Sequence, residues 1–129
     1  MTLVDTSVWI EVFRRDAPLM LDTYVDFEEV VTCLPVLQEV LQGIGDEHRF
    51  RTARNALDAL PIVESPLDRT VIEEAVDLYR RARWAGYTIR SGSDCLIAAC
   101  ALRHGLEVLH HDRDFDALAR VSGLRVRNV

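Results

Sequence analysis

The chain has 129 residues, 49% of them hydrophobic, with 21 acids against 15 basic side chains, all arginine, and a net charge of −6. That length suits one domain, residues 1–129, and no apolar run nears the ~20 residues of a membrane span, so neither a signal peptide nor a membrane segment is expected and the location is read as cytoplasmic. The absence of lysine excludes Schiff-base and Walker P-loop chemistry, and Cys33, Cys95 and Cys100, odd in number and without a C-x-x-C pair, exclude a disulfide framework or zinc site and read as small core thiols.

"TLVDT" predicts a short buried strand, and "SVWIEVFRR" a helix carrying Val8, Trp9, Val12 and Phe13 at helical spacing. "PLMLDTYVDF" continues helically from Pro18, and the β-branched "EVVTC" (29–33) gives a second strand. A helix starts at Pro35 and stops at Gly43, with Val36, Leu37, Val40, Leu41 and Ile44 as its apolar stripe. Residues 46–59 form a polar amphipathic helix, 61–65 a short strand, and 68–84 a long helix closed by Gly86. "SGSDCLIAACALRHG" opens with small capping residues, is apolar on nearly every side and ends at Gly105, which marks a central buried helix. "LEVLHH" is a strand, "DFDALARVSG" a helix and "LRVRNV" a last strand.

Strands alternating with helices predict an α/β fold with a central parallel sheet flanked by helices on both faces. Ligands of such sheets bind beyond the carboxyl ends of the strands, where this chain places Asp5 after "LV", and Asp112 with Asp114 after "EVLHH". Each acid has a plain structural reading: Asp5 caps the first helix, and Asp94 stands in the first turn of its helix. Ser91 and Ser93 already offer capping oxygens there, leaving Asp94 redundant for that task. Glu39 lies off the centre of its helix's apolar stripe, so by itself it reads as solvated. The His110–His111 pair is sent to opposite faces by strand alternation and is read as structural. Trp9, Phe13, Trp84 and Tyr87 read as core or interface aromatics, with base stacking by one of them left open.

Jointly the acids ask for a counter-charge. Two carboxylates about 5 Å apart at an effective dielectric near 20 cost roughly 3 kcal/mol, against the ~5–15 kcal/mol that stabilises a domain. Oxygen ligands without thiols suit a hard cation, Mg²⁺ or Mn²⁺, which keeps several waters and serves phosphodiester cleavage. Setting Asp5, Glu39, Asp94, Asp112 and Asp114 aside leaves 16 acids facing 15 arginines, so the acidic total is compatible with a phosphate-binding surface.

The stretches "VDTSVWIE", "LPVLQEVLQG", "SGSDCLIAACAL" and "VLHHDRDFDALA", in register over essentially the whole chain, resemble the PIN-domain ribonucleases, specifically the small VapC toxins of bacterial toxin–antitoxin pairs. By position the resemblance implies that Asp5, Glu39, Asp94 and Asp112 are the acidic quartet binding Mg²⁺ or Mn²⁺, that Asp114 is an accessory acid, and that Thr6 or Ser7 supplies a hydroxyl near the metal. It also implies an RNA endonuclease, a homodimer, and inhibition by a VapB-type antitoxin whose tail covers the site. Arg90 and Arg113, which flank two of the acids, are the candidates for phosphate contacts.

A phosphoacceptor receiver domain would need a lysine, and a haloacid-dehalogenase phosphatase a second Asp where Ser7 stands, and again a lysine. A DNA-directed nuclease and a non-catalytic PIN scaffold remain as alternatives; the scaffold would be favoured by a missing acid, and all four are present.

Overall fold

The structure, a computed structural model, describes residues 1–129. Strands β1 (Thr2–Val4), β2 (Val30–Cys33), β3 (Ile62–Val63), β4 (Glu107–His110) and β5 (Arg125–Asn128) form one parallel sheet in the order β3-β2-β1-β4-β5. β1 and β2 are buried along their whole length, as strands covered on both faces must be. The helices are α1 (Thr6–Val12), α2 (Leu34–Gln42), α3 (Glu47–Asp58), α4 (Arg69–Trp84), α5 (Gly92–Arg103) and α6 (Arg113–Arg120). α1, α2 and α3 pack in succession, as do α4, α5 and α6. Right-handed crossovers place the two groups on opposite faces, so the α/β architecture is the expected one.

Local chemistry sets the ends of these elements. Asp5, Asp46, Asp68 and Asp112 each accept a backbone N–H of the helix that follows, capping α1, α3, α4 and α6. α5 closes with Leu106 N–H bonded to Ala101 C=O and Gly105 N–H to Leu102 C=O, a paired C-terminal turn that requires a left-handed residue, and Gly105 has φ +64°. A Cβ on Gly105 would meet nothing within 4 Å. Gly105→Ala is therefore expected to cost only the backbone strain, about 1 kcal/mol, seen as a lower denaturant midpoint with an unchanged slope.

One segment departs from expectation. Residues 18–27 do not continue helically; they contain the short 3-10 turn Leu21–Thr23, and a second turn spans Phe27–Glu29. β-branched Thr23 and Val25 disfavour a continuous helix, and the Asp26 side chain takes the Glu28 N–H in a local turn. Leu21 and Val25 still reach the core.

The core is a single cluster of 30 buried residues centred on β1, β4 and α5. α5 is apolar all round, with Ile97, Ala98, Ala99, Cys100 and Ala101 fully buried, so it is held by contacts on every side and not by one stripe. The three cysteines are free and buried, as read from the sequence. No helix is long and apolar enough to cross a membrane.

Candidate active site

From β1 the chain turns towards β2, whereas from β4 it turns the opposite way, to β5. Between neighbouring strands whose connections diverge, the loops part and leave a crevice at the carboxyl ends. Val4 pairs with Leu109 across this junction, and the Asp5 N–H extends the ladder to Leu109 C=O at 2.9 Å. Asp5 and the loop carrying Asp112 are thereby brought side by side.

The N-terminus of α5 delivers Asp94 to the same place. Carboxylate oxygens of Asp94, Asp112 and Asp114 lie within 4.8 Å of one another. Asp5 is 2% exposed, Asp94 6% and Asp114 4%, an unusual depth for three carboxylates. The Asp5 Oδ2 accepts from the Ser7 hydroxyl and backbone N–H, while its Oδ1 is buried without a partner, as is Asp94 Oδ2. Glu39 comes from α2: the Thr6 hydroxyl donates to its Oε1 and the Ser93 hydroxyl to its Oε2, both at 2.9 Å. Arg90 lies across the outer side, 3.0 Å from Asp112 Oδ1 and 3.5 Å from Asp114 Oδ2, and its backbone N–H also donates to Asp114.

Removal from water dominates the electrostatics. Burial raises the Asp5 carboxyl to about 6 against the lowering effect of its Ser7 bonds, and the Glu39 charge adds to the rise. Asp94 is raised to about 8, first by burial and then by the charges of Asp5, Asp112, Asp114 and Glu39. Two acids that resist ionisation, each with an orphaned buried oxygen, form a cradle for a positive ion, and an all-carboxylate donor set fits a hard divalent cation.

Of the residues singled out from the sequence, Asp5, Thr6, Ser7, Glu39, Arg90, Asp94, Asp112 and Asp114 converge here. Glu39, solvated when read alone but placed in the quartet by the resemblance, is half-buried and doubly bonded; its position off the apolar stripe is what points it along α2's edge to Thr6 and Ser93. Ser91 and Ser93 do not cap α5 through their side chains, because they bond each other at 2.7 Å and Ser93 donates to Glu39. Ser93 is the residue the sequence reading passed over as a site group, its capping pattern having masked it. Arg113 does not join the cluster and is exposed beside it. Asp116 is also apart, with its Oδ1 3.4 Å from His110 Nε2. His110 is fully buried and His111 exposed, as alternation requires. Since His110 Nδ1 accepts from the Asp112 N–H, the neutral ring carries its proton on Nε2 and steadies the acidic loop.

Comparison with known proteins identifies the family. The family model described as PIN domain matches residues 2–121. Ribonuclease VapC11 of Mycobacterium tuberculosis is 38% identical over 130 aligned positions, covering 97% of this chain and 96% of that protein. Ribonuclease VapC51 of the same organism is 30% identical, covering 94% and 87%. Among solved structures, DNA-bound VapBC from Salmonella typhimurium superposes with a TM-score of 0.77 at 16% identity, covering 98% of this chain and 96% of that one, which shows the shared fold. A fold whose sheet switches direction between two acid-bearing strands, matched by the family model over nearly its whole length, places this chain in the PIN domain family, alongside the VapC ribonucleases.

Proposed function

We propose that this chain is a metal-dependent endoribonuclease acting as the toxin of a toxin–antitoxin pair, a single domain working in the cytoplasm. The observation that carries the reading is the pair of buried, partnerless oxygens, Asp5 Oδ1 and Asp94 Oδ2, next to the Asp94–Asp112–Asp114 cluster. Asp5, Asp94, Asp112 and Asp114 would hold Mg²⁺ or Mn²⁺, with Glu39 joining through a water. When bound, such an ion supplies Lewis acidity and a water of lowered pKa.

The chain's own groups prepare the rest. Ser7 fixes the Asp5 carboxylate so that its Oδ1 points inward. Thr6 and Ser93 occupy one lone pair on each Glu39 oxygen, which sets the plane of the carboxylate and leaves its remaining lone pairs to orient a water. Arg90 neutralises Asp112 and Asp114 in the metal-free state; released from them, its guanidinium suits a phosphate oxygen. Thr6→Val together with Ser93→Ala should weaken Mn²⁺ binding by about 10- to 100-fold, the usual effect of losing groups that orient ligands, as measured by calorimetric titration.

Two further surfaces support the partners. Between α1 and α2, Ile10, Phe13, Val40 and Ile44 line a hollow that reaches Glu39 and has Arg49 on its wall, suited to the tail of a VapB-type antitoxin. On α4, exposed Ile72 and Val76 border an apolar groove with Tyr79 and Leu96, suited to a homodimer. The deciding experiment incubates the purified protein with total RNA in Mn²⁺ or Mg²⁺, with and without EDTA, and sequences the new ends. Discrete metal-dependent cuts are expected; uncut RNA, or DNA cut as readily, would overturn the reading.

A further inference from the structure

Beside the acidic cluster, and sharing Asp114 with it, lies a second hollow of about 400 Å³. One wall is the loop Gly86, Tyr87 and Thr88; the other is the face of α6 carrying Arg113, Ala117 and Arg120. These three recur at i, i+4 and i+7, so they stand in one row, with the small Ala117 opening the space between two arginines set about 10 Å apart along the helix. Neither arginine has a carboxylate within 4 Å, whereas Arg90 next to them is paired twice. Arg120 instead donates to the Tyr87 hydroxyl at 3.1 Å and lies 5.9 Å from the ring centre. The loop has its shape because α4 ends in a turn with Gly86 at φ +92°, where Tyr87 N–H bonds Ala82 C=O and buried Ile89 anchors the far side.

The other charges facing this hollow are two acids, of which one is engaged. Asp114 is held by the Arg90 backbone and guanidinium, whereas Asp116, 3.4 Å from the neutral His110 ring without a hydrogen bond, leaves one carboxylate charge on the hollow's rim against the two arginines. What the hollow offers a ligand is the unpaired Arg113 guanidinium, the N–H groups of Arg120 not spent on the Tyr87 hydroxyl, the aromatic ring beside them, and the Thr88 hydroxyl. That combination matches single-stranded nucleic acid, where cations meet the backbone and a flat ring takes a base.

We infer that this hollow is a nucleotide subsite flanking the cleavage centre, with Arg113 and Arg120 holding phosphates of the RNA strand and Tyr87 receiving a base. The inference rests on the nuclease reading and adds to it the direction of the strand, which leaves the acidic cluster along α6.

The test uses full-length protein and a fluorescent single-stranded RNA of mixed sequence. Binding is followed in Mg²⁺ on the Asp94→Asn background and cleavage on the otherwise unaltered chain. Replacing both arginines, Arg113→Gln with Arg120→Gln, should weaken binding at least 10-fold and flatten the dependence of log K on log salt by about 1.4, roughly 0.7 for each lost phosphate contact. Tyr87→Leu should weaken binding at least fivefold with the salt slope unchanged, and Tyr87→Phe, which keeps the ring, should retain affinity. Arg54→Gln on α3, which removes one arginine charge from a surface pair with Asp58, is the control to be set against each single arginine variant and should change neither. Arginine variants behaving like that control would overturn the subsite while leaving the nuclease intact. A parent protein that neither binds nor cuts RNA would instead bring down the nuclease reading, and the subsite with it.

Discussion

Asp94→Asn is expected to lower metal-dependent RNA cleavage by about 10²- to 10³-fold or more, the scale on which loss of a group at the reacting centre is felt, and to leave the fold standing. The first part follows from position: Asp94 is the acid that both joins the Asp112–Asp114 cluster and couples to Asp5 and Glu39, so no neighbour can take its place. The second follows from its energetics. A carboxyl pushed up to about 8 is destabilising when ionised, and the neutral amide removes that burden. The variant should therefore melt higher than the parent in EDTA at pH 8, and calorimetry beside a cleavage assay reads both effects. Cleavage at the parent rate would exclude Asp94 from the reaction.

Stability of the metal-free protein should fall as pH rises from about 4 to about 8, opposite to the common behaviour of salt-bridged carboxylates. Asp5 and Asp94 are raised above their ordinary value of 3.8, to about 6 and about 8, so through this window the folded chain binds more protons than the unfolded one. Stability then has a negative slope with pH: the contribution is fully present below the unfolded pKa and lost as pH passes through the folded values. Ionising Asp5 alone costs about 3 kcal/mol, on the order of 10 °C in melting temperature for a domain of this size. Mn²⁺ should restore the melting temperature at pH 8 and do little at pH 4.5, where Asp5 and Asp94 carry protons. A melting temperature that climbs from pH 5 to pH 8 in EDTA would show that these carboxylates are not charge-frustrated.

The parallel sheet was legible because β1, β2 and β4 are short apolar runs ending in turn or helix signals, and the site could be placed because Asp5 and Asp112 follow two of them. Asp112 and Asp5 show why a capping argument does not decide against function: each caps its helix and faces the crevice as well. Glu39 was hidden because a helical wheel reports only which side of α2 meets the core, not what α1 and α5 bring to its edge. Residues 18–27 misled through a partial apolar spacing, Leu21 to Val25, that serves two anchor points and not a helical face. Ser93 fits a cap in one dimension, and only the fold shows its hydroxyl turned to a carboxylate 54 positions away.

The hydroxyl of Ser7 makes two bonds at once, giving its hydrogen to Asp5 and taking the backbone N–H of His111 at 2.9 Å. It thus stitches together the two loops that leave adjacent strands, at the point where a crevice would otherwise gape. Because that stitch ties the rim together, the expectation is that ionic radius, and not valence alone, decides which cation the crevice accepts. Calcium, which seeks more oxygens at longer range than magnesium, should sit badly there until that stitch is cut.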